Sequence, residues 1–182
     1  MGSGTEAVLD EQGDGAVIPR TTPGVVVAVD GSPASRAALQ FAMREVVRRG
    51  CVLNVVSCWG FDGTYDGAFD SIGVEQALLH ARHSAERLQD DAVSAVLEQV
   101  APPAMISRTI VEGAPGPALV RAARDADLLV VGTAHKGLAR RALLGSVSQY
   151  CVLHSPVPVT VVPEPLPAAA ELPLTPAAAR AS

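Results

Sequence analysis

A doubly wound α/β domain, one five-stranded parallel sheet with helices on both faces, is the architecture the sequence predicts, and three observations carry that expectation. Strand-like and helix-like segments alternate from residue 24 to residue 163. The first strand-like run is β-branched and apolar almost throughout, the pattern of a strand buried on both faces. Hydrophobic residues make up 48% of the 182-residue chain but aromatic ones only 3%, so the core is built from Val, Leu, Ile and Ala, as suits a parallel sheet under Ala-rich helices.

The run "GVVVAVD" (24–30) predicts a central strand. In "GSPASRAALQFAMREVVRRG" (31–50), Ser32 is placed as N-cap, Pro33 as the first helical residue and Gly50 as the stop. Ala37, Ala38, Phe41, Ala42 and Val46 form the apolar stripe of that helix. "CVLNVVSCW" (51–59) reads as the second strand, before a loop rich in Gly and Asp. A long helix is predicted over 73–100, where Val74, Leu78, Ala81, Ala85, Leu88, Ala92 and Val96 recur at intervals of three and four and face the sheet. "MISRTIVEG" (105–113) is the third strand, "PGPALVRAARDA" (115–126) a short helix and "DLLVVG" (127–132) the fourth strand. A helix over 146–154 and the strand "VPVTVV" (157–162) complete the set. Strands joined through helices imply right-handed crossovers and a parallel sheet of flavodoxin size. The flanks, 1–23 with its Gly and acidic residues and 164–182 with its Pro and Ala, offer too little apolar surface to offset ordering entropy, so they are expected to be flexible tails on a 24–163 domain.

The formal net charge of −5 argues against broad attraction to nucleic acid, where phosphate neutralisation dominates affinity. No run approaches the ~18–20 apolar residues of a membrane helix. The first residues lack a basic segment before an apolar one, and Glu6 stands where a myristoylation signal requires Ser or Thr. Cys51, Cys58 and Cys151 are widely spaced and form no CxxC pair, which fits reduced thiols. A soluble cytoplasmic protein is the resulting expectation, without nucleic-acid or membrane partners.

In open α/β sheets ligands bind beyond the carboxyl ends of the strands, and two loops fall there: Asp30-Gly31-Ser32 and the stretch from Gly132 to Ser146. Gly132 and Gly137 have the spacing of a Walker A loop, but Leu138 and Ala139 replace its Lys and Ser/Thr. A G-x-G-x-x-G after the first strand is absent as well. Gly145-Ser146 at a helix start offers free N–H groups and a positive dipole end to an anion; the alternative is a plain cap and turn. Asp30 ends an apolar strand and either meets a ribose, base or metal, or satisfies N–H groups at the next helix start. Lys136, Arg140 and Arg141 suit a nearby phosphate or a solvated loop. His80, His83, His135 and His154 make no recognisable metal set, and no G-x-S-x-G elbow occurs.

Taken together, "VVVAVDGSPASRAAL" and "DLLVVGTAHKGLARRALLGSVSQYCVLHSPVPVTVV" resemble the first and last segments of a universal stress protein domain, over about residues 24–163. The resemblance implies an open sheet of order 3-2-1-4-5, flavodoxin-like and of the adenine nucleotide alpha hydrolase kind, and a homodimer through the C-terminal edge strand. The nucleotide-binding branch carries G-x-x-G, nine residues, then G-[ST]. Gly132 matches the first glycine, Gly145 and Ser146 match the final pair, and His135 replaces the middle glycine. By this resemblance Asp30, with the main chain of Ala28 and Val29, approaches the adenosine, and Cys58 offers backbone groups to the adenine edge. Gly132 passes the ribose and phosphates, while Gly145, Ser146, Val147 and Ser148 surround the phosphate tail. If position 135 needs positive φ, a side chain there costs roughly 1–2 kcal/mol, about a decade of affinity, whereas an imidazole also donates to phosphate. The implied function is binding of ATP, AMP or another adenine nucleotide, with or without Mg2+, by a stress-response sensor that acts on a regulatory protein partner. A dimeric interaction module without nucleotide and a slow ATP hydrolase are the alternatives.

Overall fold

The computed structural model describes residues 23–60, 71–134 and 144–165. Nine elements follow in order: β1 (Gly24–Ala28), α1 (Pro33–Arg49), β2 (Val52–Trp59), α2 (Ser71–Leu97), β3 (Ile106–Glu112), α3 (Pro115–Ala122), β4 (Leu128–Thr133), α4 (Ser146–His154) and β5 (Val159–Pro163). The strands form one sheet in the order β3-β2-β1-β4-β5, and every neighbouring pair is parallel. Among the described residues no helix is long and apolar enough to cross a membrane.

Alternation along the strands sorts their side chains into two layers. Val25, Val27, Leu53, Val55, Leu128 and Val130 pack with Ala38, Leu39, Ala42, Met43 and Val46 of α1 and with Ala92, Val93 and Val96 of α2. On the other face Val26, Val56, Leu129 and Val131 meet Ala118, Leu119 and Ala122 of α3 and Cys151 of α4. Val25, Val26 and Val27 are fully buried, as befits the middle strand. The start of α1 follows the sequence expectation: Ser32 accepts a hydrogen bond from the Ser35 N–H at 3.1 Å, Pro33 opens the helix and Gly50 closes it in the left-handed conformation.

Helix α2 spans Ser71–Leu97 rather than 73–100 and β5 Val159–Pro163 rather than 157–162, and three further details differ from the sequence reading. Phe41 is 37% exposed, whereas Leu39 and Met43 are fully buried; the inward face of α1 is rotated because the helix lies across β1 and β4. In α2, Leu88 is 48% exposed and Gln89 only 3%, since the Gln89 amide finds acceptors on the sheet that make its burial affordable. Helix α3 ends at Ala122 rather than 126, in a tightened turn where the Ala123 N–H reaches Leu119 O and the Ala126 N–H reaches Ala123 O.

One glycine governs how closely α1 approaches the sheet. A Cβ on Gly132, at the end of β4, would lie 2.5 Å from the carbonyl carbon and oxygen of Ala34 and 2.8 Å from the Ser35 nitrogen. These are backbone atoms of the first turn of α1, which cannot swing aside as a side chain does. Gly132→Ala is therefore expected to cost stability even without ligand, by ~1–3 kcal/mol as for other overpacked sites. Urea unfolding of the purified variant measures this.

Candidate functional site

Two loops meet at the carboxyl ends of β1 and β4. In the first, the Asp30 carboxylate accepts from the Ser32 N–H at 2.9 Å, Gly31 takes the left-handed conformation (φ 80°) and the Arg36 guanidinium donates to Gly31 O at 2.7 Å. The carboxylate thus braces the turn that precedes α1. Burial alone would raise the Asp30 carboxyl, but hydrogen bonds from Ser32, through side chain and backbone, and from Ser35 outweigh it and hold the pKa below its ordinary value. Asp30 is an anion at neutral pH.

The start of α4 is held against the sheet end. The Gly145 N–H donates to Thr133 Oγ1 at 3.2 Å and the Ser148 hydroxyl donates to Gly132 O at 3.1 Å, so both bonds tie the helix start to the end of β4. Gly145 is the N-cap, with φ −63° and ψ 158°, and among the described residues no side chain caps the helix. The first N–H groups of α4 and the positive end of its dipole therefore remain an anion-favouring feature.

Between the loops lies a cleft of about 110 Å³. Ala28 of β1, Val29, Asp30 and Ser32 of the first loop, Val131 and Gly132 of β4, Val56 and Cys58 of β2 and Val147 of α4 line it, with Pro115 and Leu119 of α3 and Ser35 of α1. Its volume is below the ~300–1,000 Å³ of pockets that enclose a drug-sized molecule; it suits one ring system of a larger ligand. The walls are mainly aliphatic, with Asp30, Ser32 and Ser35 as polar groups at one side. Burial pushes the Cys58 thiol up to about 11; Arg121 nearby lowers it and Cys151 raises it further. Burial likewise pushes Cys151 up to about 11. Both sulfurs are neutral thiols at physiological pH and are poor nucleophiles. Among the described residues no group of three or more His, Cys, Asp and Glu is placed to hold a metal.

Of the residues singled out from sequence, Ala28, Val29, Asp30, Cys58, Gly132 and Val147 line this single cleft. Gly145 does not line the cleft; its N–H is tied to Thr133 Oγ1 beyond the end of the lining formed by Gly132 and Val147. Ser146 is the exposed first residue of α4, and Ser148 is buried with its hydroxyl committed to Gly132 O. His135, Lys136, Arg140 and Arg141 lie outside the described residues. The sequence reading missed Ser35, Val56, Pro115, Leu119 and Val131 as lining residues. Pro115 and Leu119 are spaced i, i+4 at the start of the helix that follows β3, a signal that one helix face meets the strand ends.

The two motif glycines differ in what requires them. Gly132 is demanded by the backbone of α1, whereas among the described residues a Cβ on Gly145 would meet nothing nearer than Ser148 Oγ at 3.7 Å and Thr133 Oγ1 at 3.9 Å, with φ in the ordinary region. Gly145→Ala is expected to change folding stability by less than ~1 kcal/mol, the poorer N-cap opposing the reduced freedom of the unfolded chain. The same urea titration used for Gly132→Ala checks the contrast.

The model of the universal stress protein family matches residues 24–163. The universal stress protein Rv1996 of Mycobacterium tuberculosis is 33% identical over 163 residues, covering 82% of this chain and 51% of that protein; the chain spans about half the length of the curated relatives it matches. Among solved structures, universal stress protein UspA from Lactobacillus plantarum shares the fold, with a TM-score of 0.63 at 23% identity over 77% of this chain and 97% of that one. A universal stress protein in complex with cAMP aligns with a TM-score of 0.50 at 26% identity, covering 79% of this chain and 98% of that one. With its 3-2-1-4-5 sheet and the family match running from the first residue of β1 to the last of β5, the chain belongs to the universal stress protein family.

Proposed function

We propose that the chain binds an adenine nucleotide in the cleft between Asp30 and the start of α4, and that it serves as a cytoplasmic stress-response regulator whose surface depends on occupancy. The observation that carries this reading is the unoccupied role of Gly145. Among the described residues no contact requires a glycine there, yet a phosphate approaching the first N–H groups of α4 does. The aliphatic slot lined by Val56, Leu119 and Val131 accepts a flat base, and the ionised Asp30 at its rim accepts from ribose hydroxyls. A 26% identical relative holds cAMP, which supports an adenosine-based ligand. ATP and AMP share that moiety and differ only in the phosphate tail directed at Gly145 and Ser146.

Where Mg2+ accompanies ATP, Asp30 is the one carboxylate among the described lining residues, and the remaining ligands are phosphate oxygens and water. The ion would neutralise phosphate charge there. His135 stands in place of a motif glycine, so its replacement by glycine is expected to tighten binding.

Isothermal titration with ATP, AMP and cAMP tests the proposal. Binding in the millimolar range or tighter is expected for at least one of them, weakened about tenfold by Asp30→Ala and by Gly145→Ala. No heat from any of the three at millimolar nucleotide would overturn it.

The proposed assembly is a homodimer through β5, which lies at the edge of the sheet with four half-buried apolar or β-branched residues. The Glu164 N–H points inward to Thr133 O, and by the alternation of the strand the Val161 N–H points outward. Val161→Pro removes that outward donor while sparing the bonds to β4. Sedimentation of the wild-type chain as a dimer and of the variant as a monomer is expected; a wild-type monomer refutes the pairing.

A further inference from the structure

We infer that Gln89, acting through Ser57, is a positioning residue for the cleft, locking the peptide that carries Asp30 and joining helix α2 to the site. The inference rests on the nucleotide reading above and extends it to side chains that touch no ligand.

The register of β1 with its neighbours ends at Ala28, and the chain turns at Asp30. Val29 stands between, with its N–H donating to Val56 O at 2.9 Å and its carbonyl accepting from the Ser57 hydroxyl at 2.6 Å. Ser57 has one proton to give. Gln89 decides where it goes, because its amide donates to Ser57 Oγ at 3.0 Å and so commits the hydroxyl proton to Val29. The same amide reaches Thr109 O at 3.2 Å and Val55 O at 3.4 Å, which anchors Gln89 across β2 and β3. A trans peptide is rigid, so fixing the Val29 carbonyl also fixes the opposed Asp30 N–H and the direction in which Asp30 leaves the strand.

Both side chains are removed from water, Ser57 being 4% and Gln89 3% exposed, so no solvent competes for these bonds. The neighbouring Leu88 covers the other end of the turn: a Cβ on Gly31 would lie 3.0 Å from its Cδ2. Consecutive residues of α2 therefore bear on both sides of Asp30. Gln89 also interrupts a stripe that otherwise runs Ala85, Ala92, Val96. Packing alone does not call for an amide at this position, whereas holding Ser57 does; an apolar residue there would leave buried acceptors without this donor, at a cost in stability.

Gln89→Met and Ser57→Ala test the inference, each with three measurements: amide hydrogen exchange at residues 30–32 without nucleotide, AMP affinity by titration, and the urea midpoint. Faster exchange at 30–32 and AMP binding weakened about tenfold are expected, together with a modestly lowered midpoint for Gln89→Met because buried acceptors lose a donor. Unchanged exchange in both variants overturns the inference, as does faster exchange with AMP affinity retained, or a lowered midpoint with no change in affinity. If one variant fails to fold, the other decides. A wild-type chain that binds no AMP, ATP or cAMP removes the nucleotide reading, and the exchange measurement alone then upholds or overturns the lock on Asp30.

Discussion

At the end of β4 the main chain of Gly132 lies directly against the first turn of α1, an approach that leaves no room for even a methyl group. This contact sets the height of α1 over the sheet, and Asp30 at the head of α1 then shares one cleft with Gly132 and with Val147 of α4. Both loops then find partners on the strands: Ser148 on Gly132 O, Gly145 on Thr133 Oγ1 and Val29 on Val56 O. The cleft lies between the turn after β1, the end of β4 and the start of α4. Its aliphatic walls are the upper rims of the layers that stabilise the domain, so the site is continuous with the core.

The same contact separates two kinds of glycine that a motif treats alike. Gly132 serves packing first, and any ligand that passes close to it uses an opening the fold already requires. Gly145 meets no such demand. A pattern of glycines therefore mixes positions that packing requires with positions that it does not, and the surroundings of each missing Cβ tell them apart. Polar side chains divide in a similar way. Ser32 and Ser148 are spent on capping and tethering, whereas Ser57 and Gln89 are spent on a carbonyl one residue from Asp30.

Much of the architecture was legible beforehand because parallel strands and their crossover helices carry distinct periodicities. The run Val25–Val27 announced a central strand, and the Ser32-Pro33 start and Gly50 stop of α1 were readable from capping chemistry. Phe41 misled because size and hydrophobicity do not reveal on which side of a broad apolar stripe a helix contacts the sheet; Leu39 and Met43 took that place. Leu88 and Gln89 exchanged their expected roles for a related reason. A helical stripe is defined to within about one residue, and the acceptors that make a buried amide tolerable, Ser57 Oγ and Thr109 O, come from strands 32 and 20 residues away in opposite directions along the chain.

By itself the sequence determined the order and kind of the elements, the two loops at strand ends, and the candidate residues Asp30, Gly132, Gly145 and Ser146, since each depends on local propensity, capping or motif spacing. Only the tertiary structure decided which of them share a cleft, that Pro115 and Leu119 form its opposite wall, and that Gly132 answers to α1. It also decided that Gln89 turns inward to hold Ser57. These are relations between backbone atoms and side chains distant in sequence, and they come into being only when the strands align and the helices settle against them.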